Sequence, residues 1–344
     1  MNAKMNPVFV KKVRLRNPFQ IVSLPLLSKF YQVGYRGYSS YLQKIVSGWM
    51  FRHLHKILWH AGWGGEGKFL YRTKEGDRII TFSARNTQFE SLFMPRFING
   101  YEAETTSLLD IIVDNTAVFY DIGSNWGHIS LYVASREDFN GEIHAFEPFP
   151  SSFKDLQNIV KQAKMESVVY CHNVALSSST GSKTMMLPEN LRSGAARVIA
   201  NENGIRVETV TLDELKIKPP DVIKLDVEGH EKDVLAGGRK IFNELSPMLI
   251  MENHAEYTVP HITLEPLYFL VEMGYVLFQP AFIIHIDGYT TALPQGYSGK
   301  LPEEVEVGLF EFTPSERLLL GDYPINIFAC HADKLDKLHK LFME

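Results

Sequence analysis

An α/β fold with a mostly parallel sheet is predicted by three features of this 344-residue sequence. Short apolar runs recur at 118–122, 142–146 and 168–173, and again within 221–231 and 247–254, each leading into polar residues. The stretches between them carry helical patterns, as in Ile129, Leu131, Tyr132, Val133 and Ala134, so strands alternate with helices and right-handed crossovers follow. A glycine-rich bend, Asp121-Ile-Gly123-Ser-Asn125-Trp-Gly127, joins the first run to the first of those helices. Ligands of such sheets bind beyond the carboxyl ends of the strands, where Asp121, Glu147, Asn173, Asp226 and Glu252 all stand.

In chain order, residues 1–65 come first, with ten Lys or Arg and no Asp or Glu, against 25 basic and 40 acidic residues in the remainder. Leu42, Ile45, Val46, Trp49, Met50, Ile57 and Leu58 recur at helical spacing there, with Lys44, Arg52, His55 and Lys56 on the other side. This basic amphipathic helical extension fits a membrane surface or a partner-binding helix. It fits equally a packing extension with a solvated basic face. An organellar transit segment matches the lack of acids but not the modest serine content. Nucleic acid is not an expected partner, because no aromatic-interleaved motif or binding module is present.

Residues 66–115 read as a connecting unit. Residues 62–67 make a glycine-rich joint, 69–82 a hairpin around Lys74-Glu-Gly-Asp77, and 102–115 a helix leading into the first strand. The core then occupies 116–344, with a β insertion near 181–212 made of strands at 181–187 and 204–212. Its connecting loop, 190–204, holds Arg192, Ser193 and Arg197 and is expected to close over a substrate. The segment 287–308, rich in Gly, Pro and Tyr, is expected to be a second substrate-side loop.

Composition, at 45% hydrophobic residues, supports a large buried core. Cys171 and Cys330 make no disulfide framework, which suits a reducing compartment or simply buried thiols. No run approaches the ~18 apolar residues of a membrane span, and no signal peptide is visible. A cytoplasmic location, with possible attachment at a membrane surface, is the expectation.

The bend selects between two nucleoside ligands. A dinucleotide site prefers Gly-x-Gly-x-x-Gly and a helix N-terminus free of negative side chains, to hold a pyrophosphate. Here the spacing is Gly-x-x-x-Gly, and the strand-end carboxylate of Asp121 repels a diphosphate but suits a ligand carrying an ammonium and a sulfonium. S-adenosyl-L-methionine is such a ligand. Glu147, ending the second strand, is placed to take ribose hydroxyls in either ligand class. Asp121, Gly123 and Gly127 would form the floor under the methionine part. Asn173 would reach the adenine edge, and Asn125 would contact the amino-acid moiety or stabilise the turn. Trp126 and Phe149 are candidates for stacking on adenine or facing the sulfonium, or for the core.

Five motifs extend this picture: the bend itself, Phe146-Glu-Pro148, Asn173-Val-Ala-Leu-Ser177, Thr211-Leu-Asp-Glu-Leu215, and Lys224-Leu-Asp-Val-Glu-Gly-His-Glu231 continuing to Gly237. In order and spacing they resemble the FkbM family of S-adenosylmethionine-dependent methyltransferases. The resemblance covers 102–254 and extends to 326–330 as a last strand. It implies a class I, Rossmann-like seven-stranded sheet with helices on both faces, and O-methylation of sugars or polyketide-type natural products. Ser124 stands where the family pattern often has Ala.

Methyl transfer to a hydroxyl is an in-line displacement that benefits from a general base or a metal. His230 is the first choice of base, since its ordinary pKa lies near working pH. Asp226 and Glu228 are expected to position cofactor and substrate, with Glu231 favoured at the helix start by the macrodipole. Asp226, Glu252 and His254 offer metal-type donors, but no tight ligand spacing accompanies them and no metal is expected. The expected acceptor is a small molecule or a glycan precursor. The rival reading is an inactive methyltransferase fold that binds a membrane or a partner.

Overall fold

Alternation of side chains makes strands in part of the basic extension, where helix alone is expected from sequence. The computed structural model describes residues 6–35, 48–186, 197–199, 204–255, 260–286, 289–321 and 323–343. In β1 (Phe9–Arg14), Phe9, Lys11 and Val13 turn inward while Val10, Lys12 and Arg14 face solvent. β2 (Phe19–Ser23) adds a third strand to the hairpin of β3 (Glu66–Tyr71) and β4 (Arg78–Ser83). Between them, α1 (Leu26–Tyr35) and α2 (Trp49–His60) pack together through Phe30 on Phe51 and Tyr31 on His55, ring centroids 5.4 and 5.1 Å apart. Residues 42–47 of the expected helix lie outside the described residues.

After α3 (Ala103–Ile112) the core follows in strands and helices. β5 (Val118–Ile122), α4 (His128–Ala134), β6 (Glu142–Phe146), α5 (Pro150–Ala163) and β7 (Val169–His172) form the first half. A small sheet interrupts it, made of β8 (Ala175–Leu176), β9 (Gly181–Met186), β10 (Arg197–Ile199) and β11 (Ile205–Val210). Arg192 and Ser193 lie outside the described residues, and Arg197 starts β10. The second half runs β12 (Val222–Leu225), α6 (Glu231–Gly237), α7 (Arg239–Glu244), β13 (Met248–Asn253), α8 (Pro260–Glu272), β14 (Tyr275–Ile286), β15 (Tyr289–Ala292), β16 (Glu304–Phe312), β17 (Ile325–His331) and α9 (Leu335–Met343).

Seven strands stand in the order β7-β6-β5-β12-β13-β17-β14, and within this run β17 is antiparallel to its neighbours. The sheet does not end there. β16 and β1 continue it past β14, and β15 pairs with β14, giving ten strands where seven are expected. The cause is visible in β16, whose Val305, Val307 and Leu309 are buried in alternation. The Gly, Pro and Tyr content of 287–308 hides that period, so β15 and the start of β16 replace part of the expected loop. Outer strand β1 carries lysines at Lys11 and Lys12, which discourages further edge pairing.

Successive side chains of β5 point to opposite layers. Phe119 joins Leu108 of α3, Leu131 of α4, Leu156 of α5 and Leu338 of α9 on one face. Val118, Tyr120 and Ile122 join Leu235 of α6, Phe242 of α7 and Leu270 of α8 on the other. Helices therefore cover both faces, and the strand register sets Asp121 beside Ala145 and Lys224, and Glu252 beside Asn326. Both cysteines are free thiols. Among the described residues, no helix is long and apolar enough to cross a membrane.

Candidate active site

Backbone geometry shapes the bend after β5. Gly123 (φ +87°) and Gly127 (φ +90°) take conformations that L side chains avoid, and Asn125 (φ +49°) is a residue type that tolerates the left-handed region. The N–H groups of Gly123 and Ser124 both donate to the Phe146 carbonyl at the end of β6, at 2.9 and 3.0 Å. Glu147 is fixed in turn: its Oε2 accepts from the Asn125 N–H at 2.9 Å and its Oε1 from the Phe149 N–H at 2.7 Å. Lone pairs remain on both oxygens. Asp121 Oδ2 accepts from the Ser130 N–H at 3.0 Å and from Ser130 Oγ at 2.6 Å. Burial outweighs these hydrogen bonds and raises both carboxyls, Asp121 to about 6 and Glu147 to about 7.

A second group of charges meets at the ends of β12 and β13. Lys224 Nζ, on a buried strand, lies 3.4 Å from Asp226 Oδ2 and 3.7 Å from Glu102 Oε2. Burial works to lower the pKa of this ammonium, but Glu102, Asp226 and Glu252 around it hold it above its ordinary value. His254 Nε2 stands 3.0 Å from Glu252 Oε2 and 3.6 Å from Glu228 Oε2, and its pairing with Glu252 helps push it up to about 9. Glu228, at φ +55°, is raised to about 8 by burial and by the charges of Asp226 and Glu252.

One cavity connects the two groups. Six carboxyl side chains line it (Glu102, Asp121, Glu147, Asp226, Glu228 and Glu252) and one lysine, Lys224. Ile122, Phe146, Val174 and Leu176 supply an apolar wall. A cavity lined both by apolar side chains and by an excess of carboxyls fits a flat ring bearing a cationic tail. Two trios also bring metal-type donor atoms within 4.8 Å of one another: Glu228, Glu252 and His254, and Glu102, Asp226 and Glu252. His254 is paired with Glu252 within the first, and the Lys224 ammonium stands against the second.

Residues 118–277, spanning β5 to the start of β14, match the family described as the methyltransferase FkbM domain. Over those residues the chain is similar to an FkbM methyltransferase domain. Hexuronic acid methyltransferase AglP of Haloferax volcanii is 28% identical to it over 183 residues, which are 52% of this chain and 73% of the relative. Among solved structures, methyltransferase FkbM from Methylobacillus flagellatus KT aligns with 88% of this chain at 13% identity and a TM-score of 0.39. The chain spans 58% of that protein's length. Precorrin-6y C5,15-methyltransferase from Geobacter metallireducens GS-15 aligns with 67% of this chain and 88% of its own, at 13% identity and a TM-score of 0.35.

Of the site residues read from sequence, Asp121, Gly123, Asn125, Glu147, Asp226, Glu228 and His230 line the cavity together. Two do not. Asn173 turns its amide to the carbonyls of Glu147 and Pro148, donating at 2.8 and 3.1 Å, so it braces the loop that carries Glu147 instead of reaching a ligand edge. Gly127 faces α5, where a Cβ would come within 2.7 Å of Leu156 Cδ1, so its small size serves packing.

His230 reaches the cavity with both ring nitrogens engaged. Nδ1 lies 3.0 Å from Asp233 Oδ2, and Nε2 lies 3.0 Å from Ser177 Oγ and 3.2 Å from Lys183 Nζ. Burial and Lys183 lower its pKa. A ring held neutral with its free lone pair facing an ammonium is a poor proton acceptor for a substrate. Trp126 touches the cavity but is a core residue, stacked on Phe89 at 4.8 Å. Phe149 is buried with Ala175, Met185 and Val207, packed behind the lining residues Ala175 and Met185.

Sequence reasoning missed Lys224, Tyr101 and Glu102 as members of the site. Lys224 carried a signal, a charge inside the apolar run Val222-Ile-Lys-Leu225, which a buried strand tolerates only with partners. Tyr101 and Glu102 carried none: they belong to the segment before α3, and only the tertiary fold brings them to Asp226 and Glu252.

Proposed function

We propose that this protein transfers the methyl group of S-adenosylmethionine to a hydroxyl oxygen of a sugar or glycan precursor. The excess of carboxyl groups over cations around the cavity carries this reading, because such a wall attracts a sulfonium and an ammonium and repels a diphosphate. The bend adds a cradle: side chains are excluded at Gly123, and Glu147 is held by main-chain donors with acceptor capacity to spare. S-adenosylmethionine, when bound, supplies an electrophilic methyl carbon.

Every other task falls to side chains of the chain. Glu147 would accept from ribose hydroxyls, and Asp121 with its neighbours would offset the ligand's positive charge. Lys224 opposes the burial that raises the pKa of Asp226 and Glu102, and holds both in place. Glu228 would take the acceptor proton: its raised pKa makes it a stronger base than an ordinary carboxylate, and His254, 3.6 Å away, favours its ionised form. The hexuronic acid named for the Haloferax volcanii relative suggests the acceptor class, a sugar bearing a carboxylate.

The test is transfer of labelled methyl from S-adenosylmethionine to a panel of neutral hexosides and hexuronosides. Label on a sugar oxygen is the expected result. Cofactor binding without label on any member would overturn the sugar acceptor.

A further inference from the structure

We propose that the outer face of α2 docks on a lipid bilayer rich in anionic headgroups. The inner face of this helix is accounted for by α1, through Phe51 and His55. The outer face is apolar as well. Trp49, Met50, Leu54 and Ile57 are exposed on it, with Ile57 63% accessible, and Trp63 just beyond the helix is 70% accessible. Met50, Leu54 and Ile57 follow one another at i, i+4 and i+7, so they form one stripe and not scattered surface residues. A helix that is apolar on the side turned away from its own protein needs a partner.

Charge decides which partner. Lys56 is exposed beside the stripe with His53 and His60, and the first 65 residues hold ten Lys or Arg and no acid, although Lys12, Arg14 and Arg16 are paired with Glu304, Glu303 and Asp110. A second copy of the chain would bring two such cationic faces together, at a Coulomb cost, whereas anionic headgroups complement them. Tryptophans flanking an apolar stripe favour the boundary between headgroups and acyl chains. A twelve-residue helix is too short to span and would lie in the plane of the surface. Docking there would also hold the cavity near the bilayer. Trp59 Nε1 donates to the Arg85 carbonyl at 3.1 Å, and the turn just after Arg85 supplies the cavity residues Gln88 and Ser91.

The experiment is sedimentation of the full chain with vesicles of phosphatidylcholine alone and of equal parts phosphatidylcholine and phosphatidylglycerol. Binding to the anionic vesicles is expected, weakened at least about tenfold by L54S/I57S, by K56E to a lesser degree, and by added salt. Circular dichroism melting checks that the variants fold, and the salt dependence of the unmodified chain stands without them. Failure of that chain to sediment with anionic vesicles, equal binding to neutral ones, or undiminished binding by folded L54S/I57S would overturn the proposal. So would an oligomer seen by ultracentrifugation that L54S/I57S dissociates without any vesicle binding, since a second copy would then be the occupant.

Discussion

A Cβ placed on Gly123 would lie 1.7 Å from the carbonyl oxygen of Asp226. The bend after β5 and the exit of β12 are thus in main-chain contact, and two motifs separated by about a hundred residues shape one wall. Gly123→Ala must both strain a φ of +87° and push Asp226 aside. A loss of at least about 2 kcal/mol is expected from strain and overpacking together. Urea unfolding measures it, and binding of S-adenosylmethionine should be lost even in the fraction that remains folded.

Lys224 is the cation on which Asp226 and Glu102 depend. Lys224→Met leaves those half-buried carboxylates without it, a change whose cost should approach the roughly 3–5 kcal/mol of breaking a fully buried pair without exceeding it. The cost should be smaller at pH 5.5 than at pH 8, because the orphaned carboxyls can take up protons at the lower pH. Urea titrations at the two pH values check this; equal losses at both would mean that packing of the lysine stem, and not its charge, matters.

Stability of the ligand-free protein should have an optimum on the acid side of neutrality. Asp121, Glu147 and Glu228 have folded pKa values raised to about 6, 7 and 8, so the folded state holds their protons more tightly than the unfolded chain. Their stabilising contribution is full below the unfolded carboxyl pKa and is lost as pH rises through 6 to 8. His55, lowered to about 4 by burial, acts oppositely: its contribution is lost as pH falls from 6.5 towards 4. Melting temperature should therefore fall between pH 6.5 and 8.5, and S-adenosylmethionine should flatten that slope by neutralising the cavity. A melting temperature that rises over this range would contradict the charge assignment.

Glu228 and His230 make opposite kinetic predictions. If Glu228 takes the acceptor proton, Glu228→Gln lowers kcat on the order of 10²–10⁴-fold while cofactor affinity changes little. The rate of the unmodified enzyme should then climb with pH along a limb ending at or below about 8, since the bound cation favours the ionised carboxylate. His230→Gln should cost far less. Initial rates of the two variants across pH separate the assignments.

Much of this architecture was legible because parallel strands advertise themselves. The run 118–122 coincides with β5 and 142–146 with β6, and Gly123 marked the bend because only a glycine fits its geometry. The outer sheet was less legible. Gly308 sits in the middle of β16, and β1 looks like a basic arm until its alternation is set against a neighbouring strand. Site residues divided in the same way. Asp121 and Glu147 announce themselves at strand ends, whereas Glu102 reaches Lys224 only through the tertiary fold. Asn173 was misleading for a physical reason: a polar residue at a strand end can serve the loop beside it as readily as a ligand.

Calorimetric titration with S-adenosylmethionine and S-adenosylhomocysteine, with NADH in competition, tests the cationic-cofactor reading most directly. The expected result is binding of both sulfur ligands in the unmodified protein, no displacement by NADH, and loss of binding in folded Asp121→Ala and Glu147→Ala. Absence of binding in the unmodified protein, or displacement by NADH, would contradict it.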